Sequence, residues 1–172
     1  FFINKLKKMT LLETLFPTNA NNDFQGSRVA VYFLVLFTFL MLARSLIHFT
    51  FEDGGSNVIG NLVILEKTKT GLDPNILSYA FAKLWGLSQL IICVINVVVL
   101  FRYRNLIPLM YLLWIAEWGT RLFIGFFWDF IPQEYYVSTA PGVEVAPYLF
   151  LVLVGFFILS LKSLLLRLLG EV

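Results

Sequence analysis

Four apolar stretches, each long enough to cross a bilayer and separated by short polar connections, constrain this chain more than any other feature. A hydrocarbon core about 30 Å thick needs about 20 residues at a rise of 1.5 Å each. The stretches run over residues 28–50, 75–101, 106–130 and 147–168. With 59% apolar and only 14% charged residues and a mean hydropathy of +0.81, the chain falls outside the range of water-soluble domains. The expected fold is all-α: an integral membrane four-helix bundle over residues 27–172, preceded by a cytoplasmic arm over residues 1–26.

Local signals mark the starts of the spans. Gly26-Ser27 offers an N-cap to the first, Asp73-Pro74 pairs a cap with proline at the first helical position, and Pro147 predicts the same start for the fourth. Asn105 reads as the cap of the third span, after a link so short that spans two and three must form an antiparallel hairpin. Gly170 reads as the stop of the fourth. Orientation follows from Lys and Arg, which are retained in the cytoplasm. Lys5, Lys7, Lys8, Arg28, Arg102, Arg104, Lys162 and Arg167 fall on one side, and only Lys67 and Lys69 on the other. Both termini are therefore expected to be cytoplasmic. No small-x-small site follows the first span, which is expected to stay as an anchor rather than be cleaved.

Outside the lipid, Phe2, Ile3, Leu6, Met9, Leu12 and Phe16 share a rough helical face, interrupted by Lys5 and Glu13, so residues 1–16 read as an interfacial helix or an irregular arm. The outer segment 51–73 contains the run Val58 to Leu65, which is too apolar for a freely solvated loop and too short to cross. It is expected to pack over the outer mouth of the bundle or against a partner protein. The connection 131–146, with Tyr135 and Tyr136, reads as an interfacial loop.

The informative residues are ionisable groups inside the spans, each costing about 2.5–3.5 kcal/mol at a helix centre and so demanding a partner or a wet cavity. They are Arg44, Lys83, Glu117 and Arg121, with His48 near the outer end of span one. Glu117 and Arg121 stand at i and i+4, the spacing that brings two side chains together on one helix face, and Arg44 and His48 repeat it. All three cations lie in the outer half, so one carboxylate faces three positive charges. Three readings stay open: an ion-pair network that holds the bundle together, a site for an anionic lipid head group, a quinone carbonyl or a small anion, or side chains that project from the bundle and pair with acidic residues on another subunit. Gln89, Asn96 and Thr120 add polar groups able to bridge helices.

Several function classes lack their residues. A single histidine excludes bis-histidine haem ligation and a di-iron bundle, and the lone Cys93 excludes an internal disulfide and a multi-cysteine metal site. There is no Ser-His-Asp set, P-loop or Gly-x-Gly-x-x-Gly, so no catalytic residue, metal or cofactor is assigned. The basic residues form no stripe with interleaved aromatics, which speaks against nucleic acid.

The motifs Leu84-Trp85-Gly86-Leu87 in the second span, Arg102-Tyr103-Arg104-Asn105 in the turn and Glu117-Trp118-Gly119-Thr120-Arg121-Leu122 in the third resemble the DoxX-like group of small four-helix bacterial membrane proteins. That resemblance implies a bacterial cytoplasmic membrane and, from one branch of the group, quinone-linked chemistry; it transfers no catalytic residue. The long outer loop and Arg44 depart from the pattern. A four-helix chain with 18 Phe and no chemical motif fits a non-catalytic accessory subunit of a larger membrane complex, with protein partners or further copies of the chain beside the lipids. The alternative is a membrane binder that uses Arg44, His48, Lys83, Glu117 and Arg121 for an anionic lipid, quinone or small anion.

Overall fold

The computed structural model describes residues 10–127 and 131–169, and every described segment of regular structure is helical. A short α1 (Leu11–Leu15) precedes the long helices α2 (Arg28–Thr50), α3 (Asn75–Arg102), α4 (Ile107–Phe127) and α5 (Pro141–Ser160), and α6 (Lys162–Leu168) closes the chain. Among the described residues α2, α3 and α5 are long and apolar enough to cross a membrane. The chain is accordingly a helical integral membrane protein. At 21 residues α4 is also long enough, but Glu117 and Arg121 in its middle lower its hydropathy. The expected contributions of Phe2, Ile3, Leu6, Met9, Lys5, Lys7, Lys8 and Gly170, and residues 128–130 of the third span, lie outside the described residues.

The helix starts show which caps form. Asp73 Oδ1 accepts from the amide of Asn75 at 2.9 Å, with Pro74 already helical. Ser27 stands at the expected cap of α2, but its hydroxyl makes no capping bond and its amide donates to Leu159 O at 3.0 Å. Asn105 departs from its expected role. It lies within a 3-10 turn (Arg104–Leu106), and its side chain binds the arm: its amide group donates to Asn19 O at 2.9 Å and its carbonyl accepts from Asn21 N at 3.0 Å. The fourth helix starts at Pro141 rather than Pro147, with Ala140 as an extended cap, and leaves Pro147 in its interior. It also ends sooner. The Phe157 carbonyl is taken by Ser160 Oγ and that of Leu159 by Ser27, and the chain turns at Leu161 before α6 resumes. The arm keeps one turn of helix, α1, whose Thr10 and Glu13 cap each other reciprocally.

Packing is most extensive between α2 and α3 and between α4 and α5, with α2 also on α5, whereas α3 and α4 approach each other little. Leu34, Phe37 and Met41 of α2, Cys93 of α3, Met110, Tyr111 and Trp114 of α4 and Leu153 of α5 form the buried centre. Phe37 meets Trp114 edge-on with ring centres 5.1 Å apart. Gly86 lets α2 and α3 come together, since a methyl group there would lie 2.6 Å from His48 Cβ and 2.9 Å from Phe49 N. The outward surface, including Phe39, Leu36, Phe101 and Phe126, remains apolar, as lipid contact requires.

The loop over residues 51–73 is anchored to the bundle. Leu62 pairs antiparallel with Tyr136, Val63 N donates to Tyr135 O at 2.9 Å and Val137 N to Asn61 O at 2.8 Å. Asn75 Oδ1 and Nδ2 bond both backbone groups of Leu65, and Tyr79 donates to Asn57 Oδ1 at 2.7 Å. Asp53 organises the first turn by accepting from Gly55, Asn57 and Val58 amides at 2.9, 2.9 and 3.1 Å. Partial burial opposes its ionised form, but these three donors outweigh that and hold the carboxyl below its ordinary 3.8. A carboxyl whose value is lowered by folding contributes stability above the ordinary value and loses it as pH falls through the lowered one. Hydrogen-exchange protection of Gly55, Asn57 and Val58 is therefore expected to hold at neutral pH and to decline below pH 3.8, and Asp53→Asn should abolish that dependence; undiminished protection in acid would refute this role.

Candidate functional site

Helical spacing delivers the site's groups to one level. Arg44 and Arg121 each lie six residues from the C-terminal ends of α2 and α4, or about 9 Å along each helix. On α4, Arg121 Nη2 forms an ion pair with Glu117 Oε1, the bond expected from their spacing, and Gln89 Nε2 of α3 donates to the same oxygen at 2.8 Å. Two indoles complete the cluster. The Arg121 guanidinium carbon lies 4.5 Å from the Trp85 ring centre and 4.6 Å from that of Trp118, and the Arg44 carbon lies 4.7 and 5.8 Å from the same two rings. Such contacts are worth about 2 kcal/mol when desolvated, so the indoles partly replace the water that both guanidinium groups lose.

His48 belongs to this cluster through its ring and to the loop through its nitrogen. Its ring tilts against Trp85 at 4.6 Å, and Nδ1 lies 2.7 Å from Gly54 O. A carbonyl oxygen only accepts, so Nδ1 carries the proton and, in the neutral ring, Nε2 is left as an acceptor. Gly54 and Gly55, at φ +60° and +72°, make this contact possible: a methyl group on Gly55 would lie 2.8 Å from Nδ1.

The structure thus brings Arg44, His48, Glu117 and Arg121 together. Lys83 is half-buried on α3, and among the described residues no hydrogen bond or ion pair joins it to these four. Trp85, Trp118 and Gln89 stand at the centre instead. Gln89 is a recognisable bridging residue, but the indoles carry no charge and leave no trace in a search for ionisable groups; the aromatic neighbours of Gly86 and Glu117 were their only signal. Thr120 is exposed and bridges nothing.

Charge and hydrogen bonding are incompletely matched here. Among the described residues, with His48 neutral, two guanidinium groups face one carboxylate. Among the described residues the buried side-chain atoms without a hydrogen-bond partner include Arg44 Nη1, His48 Nε2, Glu117 Oε2 and Trp118 Nε1, all in this cluster, and Asn96 Oδ1 and Trp114 Nε1 deeper in the bundle. Each such atom costs about 1–3 kcal/mol, more when charged, so four in one place define a candidate ligand site with both donors and acceptors. No group of three metal-ligating side chains occurs among the described residues.

Glu117→Gln leaves Arg121 with only its aromatic partners. Because the pair is one-fifth to one-quarter exposed, the expected loss of stability lies between the value of about 1 kcal/mol for surface pairs and about 3–5 kcal/mol for buried ones. The double variant Glu117→Gln, Arg121→Met removes both charges and is expected to recover most of that loss in a thermal melt in detergent; a Glu117→Gln protein as stable as the parent would show that the pair holds nothing. No protein-family model matches the chain, and neither the curated proteins nor the solved structures contain a match, so the geometry of this cluster carries the functional reading.

Proposed function

We propose that this chain is a four-span membrane protein, with both ends on the cytoplasmic face, that binds an anionic or carbonyl-bearing ligand through Arg44 and Arg121 in the outer half of the bilayer. The observation that carries the binding reading is Arg44 Nη1: a buried guanidinium nitrogen with no hydrogen-bond acceptor, beside a second guanidinium that already holds the one carboxylate. A bundle built only for ion pairing would be better served by a second acid or by an apolar residue at that position. The 21-residue length of α4 and its place between α3 and α5 support the fourth span, and the eight-to-two division of Lys and Arg supports the orientation. The resemblance to DoxX-like proteins, and with it a bacterial cytoplasmic membrane, rests on the three motifs quoted above.

The orientation is tested by accessibility. A cysteine replacing Arg102 is expected to react only with reagent on the cytoplasmic side and one replacing Lys69 only with reagent outside, the buried Cys93 remaining silent; reaction of both from one side would refute the four spans. The function is tested by purifying the full chain in mild detergent and analysing what accompanies it. A stoichiometric anionic or carbonyl-bearing small molecule, lost in Arg44→Gln, is expected. Fixed partner polypeptides with no small molecule would instead favour an accessory subunit of a larger complex.

A further inference from the structure

We propose, building on the reading of the cluster as a ligand site, that its ligand is a monoanionic phosphodiester lipid whose head group also carries a free hydroxyl, and that this lipid enters sideways from the outer leaflet between α3 and α4. Three observations converge on that chemistry. The first is charge: among the described residues, Arg44 and Arg121 against Glu117 leave one positive charge when His48 is neutral, which matches a phosphodiester and mismatches both a neutral carbonyl compound and a dianionic phosphate monoester. The second is bonding capacity. Arg44 Nη1 and Trp118 Nε1 are donors without acceptors, suited to the two free phosphate oxygens, while Glu117 Oε2 and His48 Nε2 are acceptors without donors, suited to a head-group hydroxyl. A bare phosphodiester satisfies only the first pair.

The third observation is access. α3 and α4 make little contact with each other along their lengths, and the cluster bridges them through Gln89 to Glu117 and Trp85 to Arg121. The ion pair retains 25% exposure at Arg121 and 19% at Glu117. One turn further into the bilayer on the Glu117 side of α4 stands Leu113, 46% exposed, where an acyl chain descending from an outer-leaflet head group would lie. At the C-terminal end of α2 the loop carbonyl of Gly54 is bonded to His48. Entry is therefore proposed from the side, where the ion pair is exposed. A head group drawn about 9 Å below the helix ends requires local thinning of the bilayer, the response that intramembrane arginines already provoke.

The test uses the purified full chain in neutral detergent and measures lipid binding by native mass spectrometry. The lipids are phosphatidylglycerol, phosphatidylmethanol, which keeps the monoanionic phosphodiester but lacks the hydroxyls, and phosphatidylcholine, with inorganic phosphate as a competitor. Phosphatidylglycerol is expected to bind about fivefold more tightly than phosphatidylcholine, the ratio that one cation near a membrane surface confers, with phosphatidylmethanol between them. Arg44→Gln should abolish the preference. Leu113→Trp, which leaves every charged group in place and fills the lateral gap, should weaken lipid binding even if Arg44→Gln fails to fold. Equal binding of phosphatidylcholine overturns the anionic head group, and equal binding of phosphatidylmethanol overturns the hydroxyl. Displacement by millimolar phosphate, or full binding in Leu113→Trp, overturns a laterally entering lipid in favour of a small anion or another route. If the lipid arms fail while a neutral carbonyl compound accompanies the protein and is lost in Arg44→Gln, this inference falls and the ligand site stands; if nothing accompanies it, both fall.

Discussion

Arg121 is held by the Glu117 carboxylate and the Trp118 ring along its own helix and by the face of Trp85 from α3, and the end of the bundle beside the 51–73 loop is arranged around that charge. A guanidinium in hydrocarbon is tolerable only when neighbours replace its water. One carboxylate and two indole faces do so here, and because they come from α3 and α4 they also bridge two helices that otherwise make little contact. Arg44 from α2 uses the same two rings without an acid of its own. The result is a stable enclosure for one cation and an unsatisfied second one.

The loop over residues 51–73 is coupled to this enclosure through His48. His48 packs against Gly86 of α3, rests against Trp85 and donates to Gly54. Asp53, by ordering the backbone from Gly55 to Val58, fixes the turn that supplies that carbonyl. The loop's remaining bonds, to the 135–137 segment and to Asn75, hold it over the bundle end. A soluble turn sequence would meet none of these constraints, which explains why an apolar run occurs outside the lipid: Leu62 and Val63 pair with the neighbouring connection, while Val58 and Ile64 stay exposed.

These features give the functional reading its shape. Four of the six unmatched buried side-chain atoms among the described residues belong to this one cluster. Below them the interior changes character. Thr38 and Asn96 bond each other at 3.1 Å, and Leu34, Ile107, Met110 and Tyr111 close the core toward the other end.

What the sequence determined by itself is what depends on near neighbours along the chain. Helix length in lipid follows from runs of apolar residues, so Arg28–Thr50 and Asn75–Arg102 stand where hydropathy put them. The Asp73 cap and the Glu117 to Arg121 pair span two and four residues and form wherever a helix forms. Tertiary structure decided the rest, because periodicity says which residues share a face but not which helix that face meets. Lys83 and Gln89 differ by six residues, about 240° around α3, and only packing against α4 made Gln89 the cluster's member and left Lys83 aside. Asn105 had the chemistry of a cap and was taken by the arm, and the last helix broke at Leu161 because Ser27, far away in sequence, took one of its carbonyls. The sandwich of two arginines and two tryptophans has no local signature, since it joins α2, α3 and α4 at a depth where only the assembled bundle brings them within 6 Å.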